Sequence, residues 1–122
     1  MNLQTHIPFS KETNNLIDYN SKIILLGSCF SENIGKKFRY LKFQSVQNPF
    51  GILFHPKAIE TIIKNAINKK KYTEKDVFFL NERWQSFEAH SQLSYSSKEE
   101  IIQQLNKASI LTNKSLKNST HI

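Results

Sequence analysis

The chain has 122 residues, the size of one domain or part of one, and its apolar and charged fractions are those of an ordinary soluble protein. A single cysteine, Cys29, excludes a disulfide framework within the chain and fits a reducing compartment. No apolar run approaches the ~20 residues that a membrane helix needs, and Met1-Asn2-Leu3-Gln4-Thr5-His6 lacks the charged start and apolar stretch of a signal peptide, so the expected location is the cytoplasm.

The net charge of +7 raises the question of nucleic acid, because clustered Lys and Arg neutralise phosphates. The excess is nearly all Lys, however, with only Arg39 and Arg83 to offer the planar fork suited to phosphate. The Lys residues are also dispersed; Lys69-Lys70-Lys71 is the one run, and it ends a predicted helix, where the dipole favours cations. The charge therefore reads as a solvated face, with neither a specific nucleic-acid partner nor a membrane implied.

Residues 1–20 are polar, broken by Pro8 and Asn14-Asn15, and read as an extended arm; residues 21–122 read as the domain. Lys22-Ile23-Ile24-Leu25-Leu26 is a continuous apolar run ending at Gly27, the mark of a strand buried on both faces of a parallel sheet. Ser31-Glu32-Asn33 opens a predicted helix to about Leu41, with Ile34, Phe38 and Leu41 on one face. Phe43 to Val46 is a second predicted strand, stopped by the loop signal Asn48-Pro49-Phe50-Gly51.

Pro56 suits the first turn of a helix, and Ala58, Ile59, Ile62, Ile63, Ala66 and Ile67 then recur as a core-facing stripe. Val77 to Leu80 reads as a short strand and Trp84 to His90 as irregular or extended chain. Ser97-Lys98-Glu99-Glu100 has the form of a capping box and introduces Ile101, Ile102, Leu105 and Ala108 on a further helix. This alternation of strands and helices favours a parallel sheet covered on both faces, and Thr120-His121-Ile122 reads as the beginning of another strand.

The segment with chemical content runs from Ile23 to Gly35. A hydroxyl at the carboxyl end of a buried parallel strand lies where open α/β sheets place their sites, and the helix that follows aims its free N–H groups at the same point. Ser28 there is suited to attack an acyl carbon while neighbouring amides hold the oxyanion. The same residue equally fits a helix N-cap, and the glycine spacing matches neither the dinucleotide fingerprint nor the P-loop. Cys29 is the rival nucleophile; strand alternation turns it away from Ser28 and predicts that it is buried. His55, before Pro56, reads as a helix cap, while His90 is a candidate base. His6, His55, His90 and His121 lack metal-ligand spacing, so neither metal nor cofactor is implied. Trp84 and Phe87 read as core aromatics, Trp84 alternatively as a pocket wall.

Three stretches in order carry a resemblance: Gly27-Ser28-Cys29-Phe30-Ser31-Glu32-Asn33-Ile34-Gly35, Asn48-Pro49-Phe50-Gly51-Ile52-Leu53-Phe54, and Arg83-Trp84-Gln85-Ser86-Phe87-Glu88-Ala89-His90-Ser91. Together they resemble the GSCFA family, with Ser31 standing where the family signature has Ala. That family is similar to the SGNH (GDSL-like) hydrolases. The resemblance implies a three-layer α/β fold with a flavodoxin-like parallel sheet, of which this chain is expected to hold the N-terminal part. It implies a serine esterase or acyltransferase activity on an acylated small molecule or glycan. By the same resemblance Ser28 is the nucleophile, and the Ser28 and Gly51 amides are oxyanion donors. Gly27, Asn48 and Trp84 are candidate substrate contacts. The Asn and the Asp-x-x-His that complete SGNH sites match nothing after residue 91, so the chain alone is expected to be inactive. A non-catalytic module that binds an anion or glycan through the same loop is the alternative.

Overall fold

Lys22–Leu25 forms strand β1, and its two central side chains, Ile23 and Ile24, are both buried. This is the burial expected of a strand covered on both faces. The structure is a computed structural model that describes Met1 and residues 3–122. β1 pairs in parallel with β2 (Gln44–Gln47), Ile24 lying opposite Val46. Helix α1 (Cys29–Tyr40) makes the crossover. On the other edge of β1, His121 forms a parallel bridge with Ile23, and its carbonyl accepts the Ile24 N–H at 3.1 Å. β1 is thus flanked on both sides, and the strand expected at Thr120-His121-Ile122 is present as a single bridge.

α1 starts earlier than its sequence pattern predicts, at Cys29 and not Ser31, because Ser28 takes the capping position. Gly35 is buried against β2, and a Cβ at this position would collide with the Gln47 side chain. The helix closes with two hydrogen bonds, Phe43 N–H to the Phe38 carbonyl (2.9 Å) and Lys42 N–H to the Arg39 carbonyl (3.1 Å). The Phe38 and Phe43 rings meet edge to face, 5.4 Å apart. This is a Schellman ending with its apolar clasp, and it places Lys42 at φ 67°.

α2 (Pro56–Ile67) has Pro56 in its first turn and His55 as its cap, the imidazole Nδ1 accepting the Lys57 N–H at 3.0 Å. It ends as α1 does: Lys70 N–H donates to the Asn65 carbonyl (2.9 Å), Lys69 N–H to that of Ala66 (3.1 Å), and Lys69 sits at φ 54°. α3 (Lys98–Asn118) begins at Ser97, whose Oγ accepts the Glu100 N–H at 3.3 Å. Helices α2 and α3 enclose the main core of Phe50, Ile62, Tyr72, Ile101, Leu105 and Ala108. Each large apolar side chain taken fully out of water there contributes ~1.5–3 kcal/mol.

Between α2 and α3 lies an antiparallel hairpin, β3 (Phe78–Leu80) and β4 (Arg83–Gln85), which the sequence reading leaves in part as irregular chain. Its two-residue turn, Asn81-Glu82, has both residues at positive φ (51° and 60°), as a type I′ turn requires. Glycine is the usual second residue of that turn, and Glu82 hides the signal. Trp84 and Tyr95 then exchange backbone hydrogen bonds at 2.7 and 3.0 Å.

The architecture of the described residues is therefore mixed α/β, with three α-helices, one two-stranded parallel sheet and one two-stranded antiparallel sheet. A full flavodoxin-like sheet is not present among the described residues. Nor is any helix among them long and apolar enough to cross a membrane.

Candidate functional site

Gly27-Ser28 joins β1 to α1, and the chain folds so that the other two motifs close on this junction. Leu25 O accepts the Asn48 N–H and Gly27 O accepts the Leu53 N–H, each at 2.9 Å, which seats the Asn48–Leu53 loop beside the Ser28 turn. His90 N–H in turn donates to the Phe50 carbonyl at 2.9 Å. Gly51, at φ 79°, lies against His90, where a Cβ at position 51 would fall 2.6 Å from the His90 Cβ. Only glycine meets both conditions, positive φ and close approach.

Ser28 is half-buried and N-caps α1, its Oγ accepting the Phe30 N–H at 3.3 Å. That bond is long, and it leaves the hydroxyl proton and a second lone pair unused. Among the described residues the Ser28 N–H makes no hydrogen bond, and Ser28 stands at the positive end of a 12-residue helix. No imidazole or carboxylate is hydrogen-bonded to Ser28 Oγ among the described residues.

Cys29 is exposed, contrary to the expectation of burial. The strand alternation behind that expectation has ended: Cys29 is the first residue of α1, and helical geometry directs its side chain outward.

The residues expected to touch substrate are placed differently from one another. Gly27 is buried, its N–H bonded to the Asn48 side chain and its carbonyl to Leu53. Asn48 is buried, at φ 41°, with both ends of its amide bonded to protein: Oδ1 accepts the Gly27 N–H at 2.9 Å and Nδ2 donates to Glu32 at 3.2 Å. Both thus shape the loop from within. The Gly51 N–H donates to the Asn48 carbonyl at 2.8 Å and is committed to that turn. Trp84 packs on the helical core and against the Phe79 ring at 5.3 Å, with the Lys98 ammonium 5.6 Å from its ring centre. His90 caps the single-turn helix Ser91–Leu93 by accepting the Gln92 N–H on Nδ1 at 3.1 Å. That bond leaves the proton of the neutral ring on Nε2.

Two carboxylates escaped the sequence reading. Glu32, one helical turn beyond Ser28, accepts from both the Gln47 and Asn48 amides and ties α1 to the loop after β2. Glu88 accepts from the Tyr72 hydroxyl (2.7 Å), Asn65 Nδ2 (2.7 Å) and Lys70 Nζ (2.8 Å). Lys70 also pairs with Asp76 at 2.9 Å. Burial, then the Glu88 carboxylate, pushes the Tyr72 phenol above the ordinary tyrosine range. Burial opposes ionisation of Asp76, but Lys70 and the Thr73 backbone N–H outweigh it and hold the carboxyl below its usual range. Lys70 is likewise penalised by burial yet raised by Glu88 and Asp76. Both carboxylates lie inside the family-like stretches, the one signal that marked them.

Residues 22–122 match the GSCFA family, and the chain belongs to it. No curated protein and no solved structure matches the chain at a significant level.

Proposed function

We propose that this GSCFA-family chain carries the nucleophile loop of an acyl-ester hydrolase or acyltransferase, with Ser28 as the attacking residue. The observation that supports it is the pairing, at one residue, of a hydroxyl with unused bonding capacity and a free backbone N–H at the head of α1. In this reading Ser28 Oγ forms a bond to the acyl carbon, and the carbonyl electron pair moves to oxygen, where the Ser28 N–H and the helix dipole receive the charge. Collapse expels the alcohol and leaves the acyl group on Ser28, from which water or a second hydroxyl takes it. The step needs a proton acceptor that the described residues do not place on Oγ, so the chain alone is slow. The flanking of β1 by β2 and by His121 is the order in which a flavodoxin-like sheet begins, and it supports that fold for the parent domain. The substrate class is an acylated small molecule or glycan, and the location is the cytoplasm.

The test supplies the base from outside. The chain is treated with p-nitrophenyl acetate in imidazole buffer, and the acetyl group is mapped by peptide mass spectrometry before and after hydroxylamine, which cleaves esters. A hydroxylamine-labile acetyl on Ser28, absent in Ser28→Ala and retained in Cys29→Ser, is the expected result. Acetylation confined to Cys29 and lysines sinks the proposal.

The capping bond from Phe30 to Ser28 favours a second reading, in which the same turn binds an anion or glycan without chemistry. It predicts Ser28-dependent ligand binding with no acyl transfer.

A further inference from the structure

β2 has one neighbour, β1, and its other edge is unpaired among the described residues. The Asn48 N–H bonds the Leu25 carbonyl. By alternation along the strand, the backbone groups of Gln44 and Val46 therefore face β1, and those of Ser45 and Gln47 face outward. Helix α1 covers the face that carries Gln47, which meets Gly35. Val46 is on the opposite face, half-buried, where it lines an open hollow of about 430 Å³ with Leu111 of α3, itself 43% exposed. An unpaired edge beside a hollow suits an extended chain, whose backbone bonds the edge and whose alternate side chains enter the hollow.

The protein carries such a segment itself. In residues 3–9, Leu3, Thr5, Ile7 and Phe9 alternate with Gln4, His6 and Pro8, the period of a strand with one apolar face. The segment nevertheless forms no helix or strand, and Leu3, Ile7 and Phe9 are 85%, 62% and 88% exposed. Pro8 decides which side of it can bond. Having no N–H, Pro8 belongs on the outer side of an edge strand, and residues 3, 5, 7 and 9 then present their N–H groups to β2. Those residues put their side chains on the Val46 face, over the hollow, only if the added strand runs parallel to β2. Ile7 and Phe9 then lie beside Gln44 and Val46.

Within one chain this placement is hindered. The Asn15 carbonyl accepts from His121 Nε2 at 2.9 Å, and His121 bridges the edge of β1 away from β2. After Phe9 the chain would have to reverse and cross three strand spacings, ~14 Å, in six Cα steps that span at most ~22 Å. Residues 12–14 are also curled, not extended: Glu12 Oε1 accepts the Thr13 and Asn14 N–H groups at 2.9 and 2.8 Å. A second copy is under no such constraint.

We propose that the free edge of β2 binds the Leu3–Phe9 arm of a second copy as a parallel strand, with Ile7 and Phe9 over the hollow between Val46 and Leu111. The exchange is reciprocal, so a two-fold dimer pairs both edges and covers both arms. Pro8 leaves the outer side of each added strand short of a donor, which discourages a further strand. The face is separate from Ser28 and does not rest on the role given to that residue.

Sedimentation velocity on the full chain, from ~5 to ~500 µM, should show a monomer–dimer equilibrium. Ile7→Asp/Phe9→Asp, at exposed positions, is expected to weaken the dimer at least about tenfold. Tyr40→Asp/Leu41→Asp, also exposed but at the end of α1, should leave it unchanged. Thr5→Pro removes an N–H that faces β2 and should weaken the dimer, whereas His6→Pro removes one that faces away and should not. Hydrogen exchange locates the contact. The Ser45 and Gln47 amides should gain protection as concentration rises, while that of Val46, already bonded to β1, should not change. A monomer throughout the range, a dimer untouched by the arm variants, or equal effects of the two prolines overturns the proposal. So does protection of Ser45 and Gln47 that is independent of concentration and lost in Ile7→Asp/Phe9→Asp, which would make the chain's own arm the occupant.

Discussion

The side-chain amide of Asn48 links the Gly27 backbone to the Glu32 carboxylate, accepting the Gly27 N–H at 2.9 Å on Oδ1 while donating to Glu32 at 3.2 Å from Nδ2. It holds the Ser28 turn to the loop after β2 from a largely buried position. Asn48→Ala leaves the Gly27 N–H unpaired and puts a residue without a stabilising side chain at positive φ. The expected loss is ~2–3 kcal/mol in urea unfolding. Asn48→Asp keeps the acceptor but opposes a new carboxylate to that of Glu32. Like charge raises the folded-state pKa of the pair, so the variant's deficit should be small below pH ~4 and grow as pH rises.

Glu88 joins the loop around His90 to α2 and to the chain that follows it at Tyr72, and its loss should be felt across all three. Tyr72→Phe is expected to cost ~1.5–2 kcal/mol, the worth of a hydrogen bond to a charged acceptor. Glu88→Ala should cost more, because Lys70 and the Tyr72 hydroxyl lose the same partner. A double-mutant cycle between the two sites should show coupling, measured as non-additive unfolding free energies.

The same cluster sets a pH window. The folded-state pKa values of Tyr72 and Lys70 are raised, so their stabilisation is complete below their unfolded values near pH ~10 and fades as pH rises above them. Asp76 is shifted down, so its contribution is present above pH ~4 and fades on acidification. Melting temperature against pH should therefore hold a plateau between about pH 5 and 9 and fall on both sides. Tyr72→Phe should soften the alkaline fall, which circular dichroism would record.

Cys29 should react with Ellman's reagent in the native protein nearly as fast as in urea, because it is exposed on the first turn of α1. Protection by more than an order of magnitude would contradict this exposure.

Lys42 and Lys69 hold positions at which glycine carries no steric penalty. Lys42→Gly is expected to stabilise the fold by ~0.5–1 kcal/mol, as a rise in the urea midpoint without a change in slope.

The readable parts of the sequence were those in which neighbours along the chain decide the outcome. The apolar run at Ile23-Ile24 marked the central strand, Pro56 and the Ile62–Ala66 spacing marked α2, and Ser97 marked the start of α3. The position of Ser28 at a strand–helix junction was legible for the same reason. Of the β3–β4 hairpin, β3 was legible at Val77 to Leu80 but the turn into β4 was not, because Glu82 adopts a conformation that its residue type rarely takes. The exposure of Cys29 was missed because a capping serine moved the helix start by two residues. The work of Glu88 was beyond local pattern altogether, since its partners Tyr72 and Asn65 lie 16 and 23 positions away. For Asn48 and Gly51 the residue types marked the loop after β2, but not that the Asn48 side chain and the Gly51 N–H bond to protein groups.

The bridge between His121 and Ile23 has a kinetic meaning. Lys22 and Thr120, 98 positions apart, exchange hydrogen bonds through the Thr120 hydroxyl and the Lys22 backbone, while β2 reaches the other edge of β1 after a crossover of a single helix. Closing the longer loop costs more chain entropy, though only in proportion to the logarithm of its length, and such distant contacts slow folding. The two edges of one strand should then form in sequence: the β1–α1–β2 unit early, the His121 side last. On the ribosome, β1 emerges and pairs with β2 well before α3 has been synthesised, and for that interval its second edge, next to the Ser28 turn, stands open to other chains.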